Sequence, residues 1–282
     1  MSMDAVLVTS LHVYPVKSCG AVDVDAITFD HDGPLYDRRW MLAHAEGERW
    51  YHTSQRELPR MALIHQRFDD GRVVLSAPGM PEIALPLAER HDRELLPAVI
   101  WKNDTRVYEE DAKASAWVSR FLNAELKLVR LPSDAAVPVN PEYSPVPATT
   151  SLNDGYPALL ISRASLNDLN DRLIARGTDA VSMRRFRPNI VIDGCGPFAE
   201  DSWPSVSIGE LPFDIVKPCP RCVMTTVDPE RGEVDNPAEP LATLATFRRW
   251  PNGKVMFGQN LIHRSQGTIR VGDVLAVREA QG

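Results

Sequence analysis

Residues 131–157, LPSDAAVPVNPEYSPVPATTSLNDGYP, carry six prolines in 27 residues. Each proline fixes φ and removes a backbone N–H, so no helix and no laddered strand is expected to run through the stretch. The chain is thereby split into two parts. At 282 residues it is long enough for each part to bury a core of its own. The boundary is placed here, giving units of 1–130 and 131–282. A segment of this kind is either a linker or a long ordered loop draped over a site, and loops of the second kind are often functional.

On both sides of the break, short β-branched and aromatic runs alternate with Gly and Pro turns. They begin with AVLVTSLHVYPV, closed by Pro15, and return later as RPNIVID, VSIGELPFDIVKP, CVMTTVD, KVMFGQNLI and TIRVGDVLAV. Helical periodicity is confined to two stretches. In DAKASAWVSRFLNA, Asp111 is placed to cap and Ala114, Trp117, Val118 and Phe121 share one face. In SRASLNDLNDRLIARG, Ser162 or Ser165 caps, Leu166, Leu169 and Leu173 form the stripe, and Gly177 supplies the stop. Many short strands with little helix predict a mainly β chain with some helix, of α+β class, and favour a closed or nearly closed barrel.

The composition, 44% hydrophobic and 24% charged with both signs mixed, is that of a folded globular chain. A formal net charge of −7 argues against duplex nucleic acid as a partner. The N-terminus shows no basic head followed by a signal-length apolar run, and no stretch approaches the roughly 20 apolar residues of a spanning helix. A cytoplasmic protein without membrane association is expected.

Cys19, Cys195, Cys219 and Cys222 are too few and too scattered for a disulfide framework. Two of them form the lone CxxC of KPCPRCVMTTVD. A structural zinc site wants four ligands, and no second pair answers this one. A redox dithiol wants its first cysteine at a helix N-terminus, whereas the residues after Cys222 read as a strand. An iron–sulfur cluster needs four suitably spaced thiolates. Packing of two small apolar side chains is the plain remaining reading of the pair.

Basic clusters accompany the pair. Arg184, Arg185 and Arg187 crowd a turn in RRFRPNIVIDG, with Asn189 just after Pro188; Lys17 and Ser18 end a strand in YPVKSCG; YDRRW adds Arg38 and Arg39. Arginine forks suit phosphate and other planar anions. Taken in order, YPVKSCG, YDRRW, RRFRPNIVIDG, CPRCVMTTVDPERG, FGQN and GTIRVGDVL resemble the MOSC proteins, which bind the molybdenum cofactor. More narrowly, the arrangement is similar to the mitochondrial amidoxime-reducing components and their bacterial YcbX-like relatives, over nearly the whole chain.

The resemblance implies a smaller MOSC N-terminal β-barrel-like domain preceding a β-barrel MOSC domain. It implies molybdenum–molybdopterin as cofactor, with Cys222 as the thiolate ligand to the metal and Cys219 as a supporting or packing residue. The unpaired CxxC then makes sense, because the metal arrives already held by the sulfurs of its pterin. Lys17, Ser18, Arg38, Arg187 and Asn189 match the family's cofactor-binding positions, Arg221 lies in the turn that presents Cys222, and the cofactor is expected between the two domains. Asp154, in LNDGYP, aligns with an acid near the metal and is assigned a catalytic role; from its own residues it reads as a turn-forming Asp before Gly155. Cys195 is assigned to the core.

The implied activity is reduction of N-hydroxylated compounds, namely hydroxylamines, N-hydroxylated bases and amidoximes, by chemistry independent of pyridoxal phosphate. Some relatives carry a C-terminal ferredoxin domain, and this sequence stops soon after TIRVGDVLAV. A separate electron donor of ferredoxin, cytochrome or flavin reductase type is therefore expected, and the position of the first motif leaves no N-terminal anchor expected. The alternative from the same family is a carrier of the molybdenum cofactor or of sulfur.

Overall fold

The computed structural model describes residues 5–278 except 102 and 145. It is built mainly of strands, in two barrel-like assemblies. The smaller barrel closes through five strands in the order Asn103–Glu109, Lys127–Arg130, Trp40–Glu46, Arg49–Thr53 and Leu96–Ile100. Helix α1, Ala112–Leu122, connects the first two of these. Its Asp111 cap accepts from the Lys113 N–H at 2.7 Å, and Ala114, Trp117, Val118 and Phe121 are buried as the spacing predicts. They pack with Trp40, Leu42, Met61 and Leu75 in the core of this half. A three-stranded sheet, His65–Asp69, Arg72–Ser76 and Ile83–Pro86, packs alongside.

The larger assembly is a ring. Its strands run Ile190–Asp193, Ala158–Ser162, Met256–His263, Leu211–Pro220, Ser205–Ile208, Val274–Arg278 and Val6–Val13, and the last pairs back with the first. Helix α2, Arg163–Ala175, makes the crossover between two parallel neighbours of the ring, Ala158–Ser162 and Ile190–Asp193. Ser162 caps it, accepting from the Ser165 N–H at 3.0 Å, and Gly177 follows its end at φ +76°. Leu169 and Leu173 are fully buried, while Leu166 packs at the edge of the same cluster. The ring's core gathers Val8, Leu11, Ile27, Phe29, Leu160, Ile190, Ile192, Phe213 and Leu261.

Strand pairing crosses the expected division at 130/131. Val6–Val13, early in the chain, is a stave of the larger ring, and Ala26–Phe29 pairs with Gly267–Arg270. Sequence adjacency hides this, because the partners lie at the opposite end of the chain.

Three local expectations are corrected. CVMTTVD does not form a strand: Cys222 heads a single 3-10 turn, Val223–Thr226, followed by a two-residue strand, Val227–Asp228. The two threonines fold back, Thr225 Oγ1 donating to the Cys222 carbonyl at 2.9 Å and Thr226 Oγ1 to that of Val223 at 2.7 Å, and these local bonds override β propensity. The proline-dense segment holds some regular structure after all, a minimal pairing of Val137–Pro138 with Thr149–Thr150 around the 3-10 turn Pro141–Tyr143. Proline survives there because it occupies the first position of the 3-10 turn and the end of a two-residue strand, where no interior ladder bond is lost. A third helix, α3, Leu241–Ala245, is too short to give a periodic signal. Among the described residues no helix is long and apolar enough to cross a membrane.

Candidate functional site

The site begins where two backbone segments are forced into unusual shapes. The strand Leu211–Pro220 ends in KPCP, and Pro218 and Pro220 can donate no ladder bond, so its register with Met256–His263 slips between them. In that partner Gly258 holds φ +79°, where a Cβ would meet Ile161 Cγ1 of Ala158–Ser162 at 2.6 Å, so only glycine lets Met256–His263 lie this close to its other neighbour. Beyond Pro220 the Arg221 N–H donates to the Val255 carbonyl at 2.8 Å, and the chain turns to present Cys222. Arg185 fastens this turn from outside, donating to the Thr226 carbonyl at 2.8 Å and to Asp228 at 2.9 Å.

Cys222 opens into a cleft of about 340 Å³ that also receives Lys17, Ser18, Arg38, Asp154, Arg187 and Arg221. A cleft of this size is in the range of small-molecule sites. Seven lysines and arginines line it against one acid, Asp154, among the described residues, although the chain as a whole carries −7. Anions are what such a cleft attracts. Three of the lining residues, Ser18, Arg38 and Arg187, hold positive φ of 65°, 48° and 55°. Non-glycine residues rarely do so, and clusters of them mark functional sites where surrounding structure enforces the conformation.

The enforcement is visible. Tyr14 is fully buried, its ring held between two guanidiniums, with Arg38 Cζ 4.4 Å and Arg187 Cζ 4.3 Å from the centroid, and its hydroxyl donates to the Pro188 carbonyl at 3.1 Å. Burial pushes the Tyr14 phenol up to about 12 and the Arg187 guanidinium down to about 10. Asp37, 1% exposed, pairs with Arg38 and accepts from the Tyr14 N–H at 2.8 Å, from Asn189 at 3.1 Å and from Asn153 at 3.1 Å. Asn189 is equally enclosed. Its amide donates to the His12 carbonyl and to Asp37, and its oxygen accepts from Arg38 and the Leu159 N–H, so all its hydrogen-bonding capacity is used inside the protein. Asn189 therefore orients Arg38 and offers no free group to a ligand.

The expected residues otherwise meet. Lys17, 5% exposed, pairs with Asp154 and donates to the Leu152 carbonyl at 2.8 Å. Burial presses the Lys17 ammonium below its usual pKa, and Asp154 presses it back up. Asp154 itself faces the cleft with a side chain 58% exposed. Desolvation opposes its ionisation, but Lys17, the Trp101 indole N–H at 3.0 Å and Arg38 hold it well below the ordinary carboxylate range. It is a carboxylate at neutral pH. Of the arginine trio, Arg185 and Arg187 both line the cleft, Arg185 also clamping the Cys222 turn, and Arg184 points away to Asp23 at 2.6 Å.

The two cysteines of the pair have different company. Cys219 Sγ accepts from Arg221 Nη1 at 3.1 Å and packs at the edge of the α2 cluster. Cys222 Sγ accepts from Arg56 Nη2 at 3.1 Å, and Arg56 in turn lies 4.3 Å over the Trp101 ring. A strap of Arg56 and Trp101 from the smaller barrel thus reaches across to Cys222 and Asp154. Cys19 is wholly buried, its thiol pushed up to about 12 by burial, and Cys195 packs against the larger core with its pKa raised by the same cause.

Arg187 Nη2 and Arg221 Nε are buried polar atoms without hydrogen-bond partners. Unpaired donors of this kind are costly and mark a place where a partner is due. Together with the cationic lining and a half-buried thiol they fit a cofactor that brings a phosphate and a soft metal. Among the described residues no cluster of three or more His, Cys, Asp or Glu could hold a metal by itself. A metal here would need a cofactor that supplies ligands of its own.

Comparisons with known proteins complete the picture. Residues 5–125 match the MOSC N-terminal beta barrel domain and residues 147–276 the MOSC domain. The chain is 36% identical over 281 residues to mitochondrial amidoxime-reducing component 1 of Mus musculus, spanning 94% of this chain and 80% of that protein. It is 34% identical over 286 residues to the Homo sapiens component 1, spanning 94% and 81%, and 32% identical over 286 residues to component 2 of Bos taurus, again 94% and 81%. The chain belongs to the family of amidoxime-reducing components, a MOSC N-terminal beta barrel domain followed by a MOSC domain.

Proposed function

We propose that this protein is a molybdenum-dependent oxidoreductase that reduces N-hydroxylated compounds with electrons from a separate redox protein. The observation that carries the reading is the meeting of a free cysteine, in a cationic cleft of an acidic chain, with side chains drawn from both barrels. The relatives are named for amidoxime reduction, which favours this reading over a cofactor or sulfur carrier.

Lys17, Ser18, Arg38, Arg187 and Arg221 would hold the pterin and its phosphate, and Cys222 would give the metal its protein thiolate. When bound, the cofactor supplies a Lewis-acidic centre that takes up and passes on two electrons. The Arg56 guanidinium donates to Cys222 Sγ and holds its direction. Asp154, ionised and anchored by Lys17 and Trp101, accepts a hydrogen bond from the substrate N–OH or from water and has no proton to give. In the overall reaction the N–O bond is cut, two electrons and two protons are consumed, and the oxygen leaves as water.

The test is molybdenum and pterin analysis of protein made in cells that synthesise the cofactor, beside reduction of benzamidoxime with an artificial electron donor. About one equivalent of each component with turnover is expected. Thiol-releasable sulfur on Cys222 without turnover would point to a carrier and reject the reductase.

A further inference from the structure

The cleft continues past Cys222. On its outer side opens a larger hollow of about 690 Å³, which shares Asp154, Pro220, Arg221, Cys222 and Lys254 with the first. One wall is hydrocarbon, formed by Leu241, Ala242 and Ala245 of α3 with Val255. The other lining carries cations: Arg56, Arg221, Arg249 and Lys254. Asp154 is the single acid there among the described residues, and its charge is already met by Lys17 and the Trp101 N–H. Arg249 and Lys254 are exposed; among the described residues Arg249 donates to the Gly253 carbonyl at 3.2 Å and no carboxylate pairs with either.

We infer that this outer hollow selects by charge, admitting a flat neutral N-hydroxylated molecule and expelling the cationic base that its reduction produces. The inference rests on the reductase reading above. A hydroxyl on nitrogen withdraws electron density, so an amidoxime is a weak base and is neutral at pH 7. Cutting its N–O bond with two electrons and two protons releases water and leaves an amidine, a strong base that takes up one further proton. The occupant's charge therefore rises by one unit at the moment the reaction ends. Because the exposed cations without a carboxylate partner among the described residues, Arg249 and Lys254, are both positive, the neutral substrate feels no net force while the product is repelled. The hydrocarbon wall of α3 gives the carbon skeleton of either molecule the same contact, so discrimination falls on charge. An exposed charge in water is worth a factor of about 1.5 to 5, and several acting together give roughly tenfold. The effect must fade as salt screens it.

The test compares benzamidoxime with benzamidine on the molybdenum-loaded enzyme, by calorimetric Kd and by product inhibition, at low and high salt. Wild type should bind benzamidoxime about tenfold more tightly than benzamidine, and high salt should compress the gap. In the variant Arg249→Glu, benzamidine should tighten by about fivefold while benzamidoxime stays within about twofold. The neutral variant Arg249→Gln should fall between. Arg249 is exposed and lines only the outer hollow, so the variants keep the core and the cofactor cleft intact. Equal binding of the two ligands by wild type, or an equal shift of both in the charge-reversed variant, overturns charge selection while leaving reduction standing. Failure of the loaded enzyme to reduce benzamidoxime at all sinks both readings.

Discussion

Cys219 and Cys222 stand three positions apart, yet each accepts from a different arginine, and only Cys222 borders both hollows. Cys222→Ala should therefore lose molybdenum and turnover, while Cys219→Ala should keep both at a cost of about 1 kcal/mol in stability. Metal content and benzamidoxime reduction measured side by side decide it; the reverse pattern would invert the assignment. Asp154 gives a second test, this time of stability. Asp154→Asn keeps the shape and leaves the Lys17 ammonium buried without its counter-charge, at a cost of about 1–3 kcal/mol. The sign follows from Lys17: its pKa in the folded state drops further, so the penalty is full at neutral pH, where both folded and unfolded states carry the proton. It is relieved as pH rises through the lowered folded value toward the ordinary lysine range near 10.4. Urea unfolding of wild type and variant across neutral to alkaline pH should show the gap closing, and a gap independent of pH would reject the pairing as its cause. At this scale the sequence was partly legible. The motifs named Lys17, Arg38, Arg187 and Arg221 but not Lys217 or Lys254; Tyr14, Asp37, Arg56 and Trp101 acquire their roles only through partners far along the chain, and Asn189 could not be seen to be saturated until its four partners were in place.

Among the short elements, the one that decides the cleft's shape is the 3-10 turn Met183–Phe186, which ends on Arg187 in the left-handed region at φ 55°. That position would suit glycine, and arginine there carries a conformational cost of roughly 1 kcal/mol. Two substitutions separate backbone from side chain. Arg187→Ala and Arg187→Gly both remove the guanidinium from Tyr14 and from the anion site, so both should release pterin more readily. Only Arg187→Gly also relieves the backbone, so it should be more stable than Arg187→Ala by about 0.5–1 kcal/mol. Thermal unfolding of the cofactor-free variants measures the difference, and alanine equal to glycine would mean that the turn carries no strain. Helices α1 and α2 were legible because periodicity and cap agree within each, and Gly177 adds a stop to α2. The turn at Cys222 was not: Thr225, Thr226 and Val227 share β-strand composition, and what decides against a strand is a pair of threonine hydroxyls bonding locally together with the Arg185 clamp from another element.

For the molecule as a whole, a mainly β fold of two parts could be read from runs and prolines, but not which part owns the first strand. Val6–Val13 lies between Ile190–Asp193 and Val274–Arg278, and it contributes Val8, Leu11 and Val13 to the core of the larger ring. Ala26–Phe29 adds Ile27 and Phe29 to that core while pairing with Gly267–Arg270. A fragment of residues 131–282 would thus retain the matched MOSC segment, 147–276, but lack one stave and five buried side chains. Each such side chain is worth about 1.5–3 kcal/mol on burial, and together they exceed the usual whole-domain stability of about 5–15 kcal/mol or consume most of it. The open ring would also expose two unpaired strand edges, at Ile190–Asp193 and Val274–Arg278, which invite aggregation. The fragment should therefore be insoluble or unfolded by itself. A fragment of the same residues with 5–30 joined through a flexible linker beyond residue 278 should recover a cooperative unfolding transition, because the missing stave is then covalently available. Near-ultraviolet circular dichroism and amide exchange of the two fragments provide the comparison. If residues 131–282 fold cooperatively without the N-terminal strand, the ring does not depend on its first stave and the two halves are separable after all.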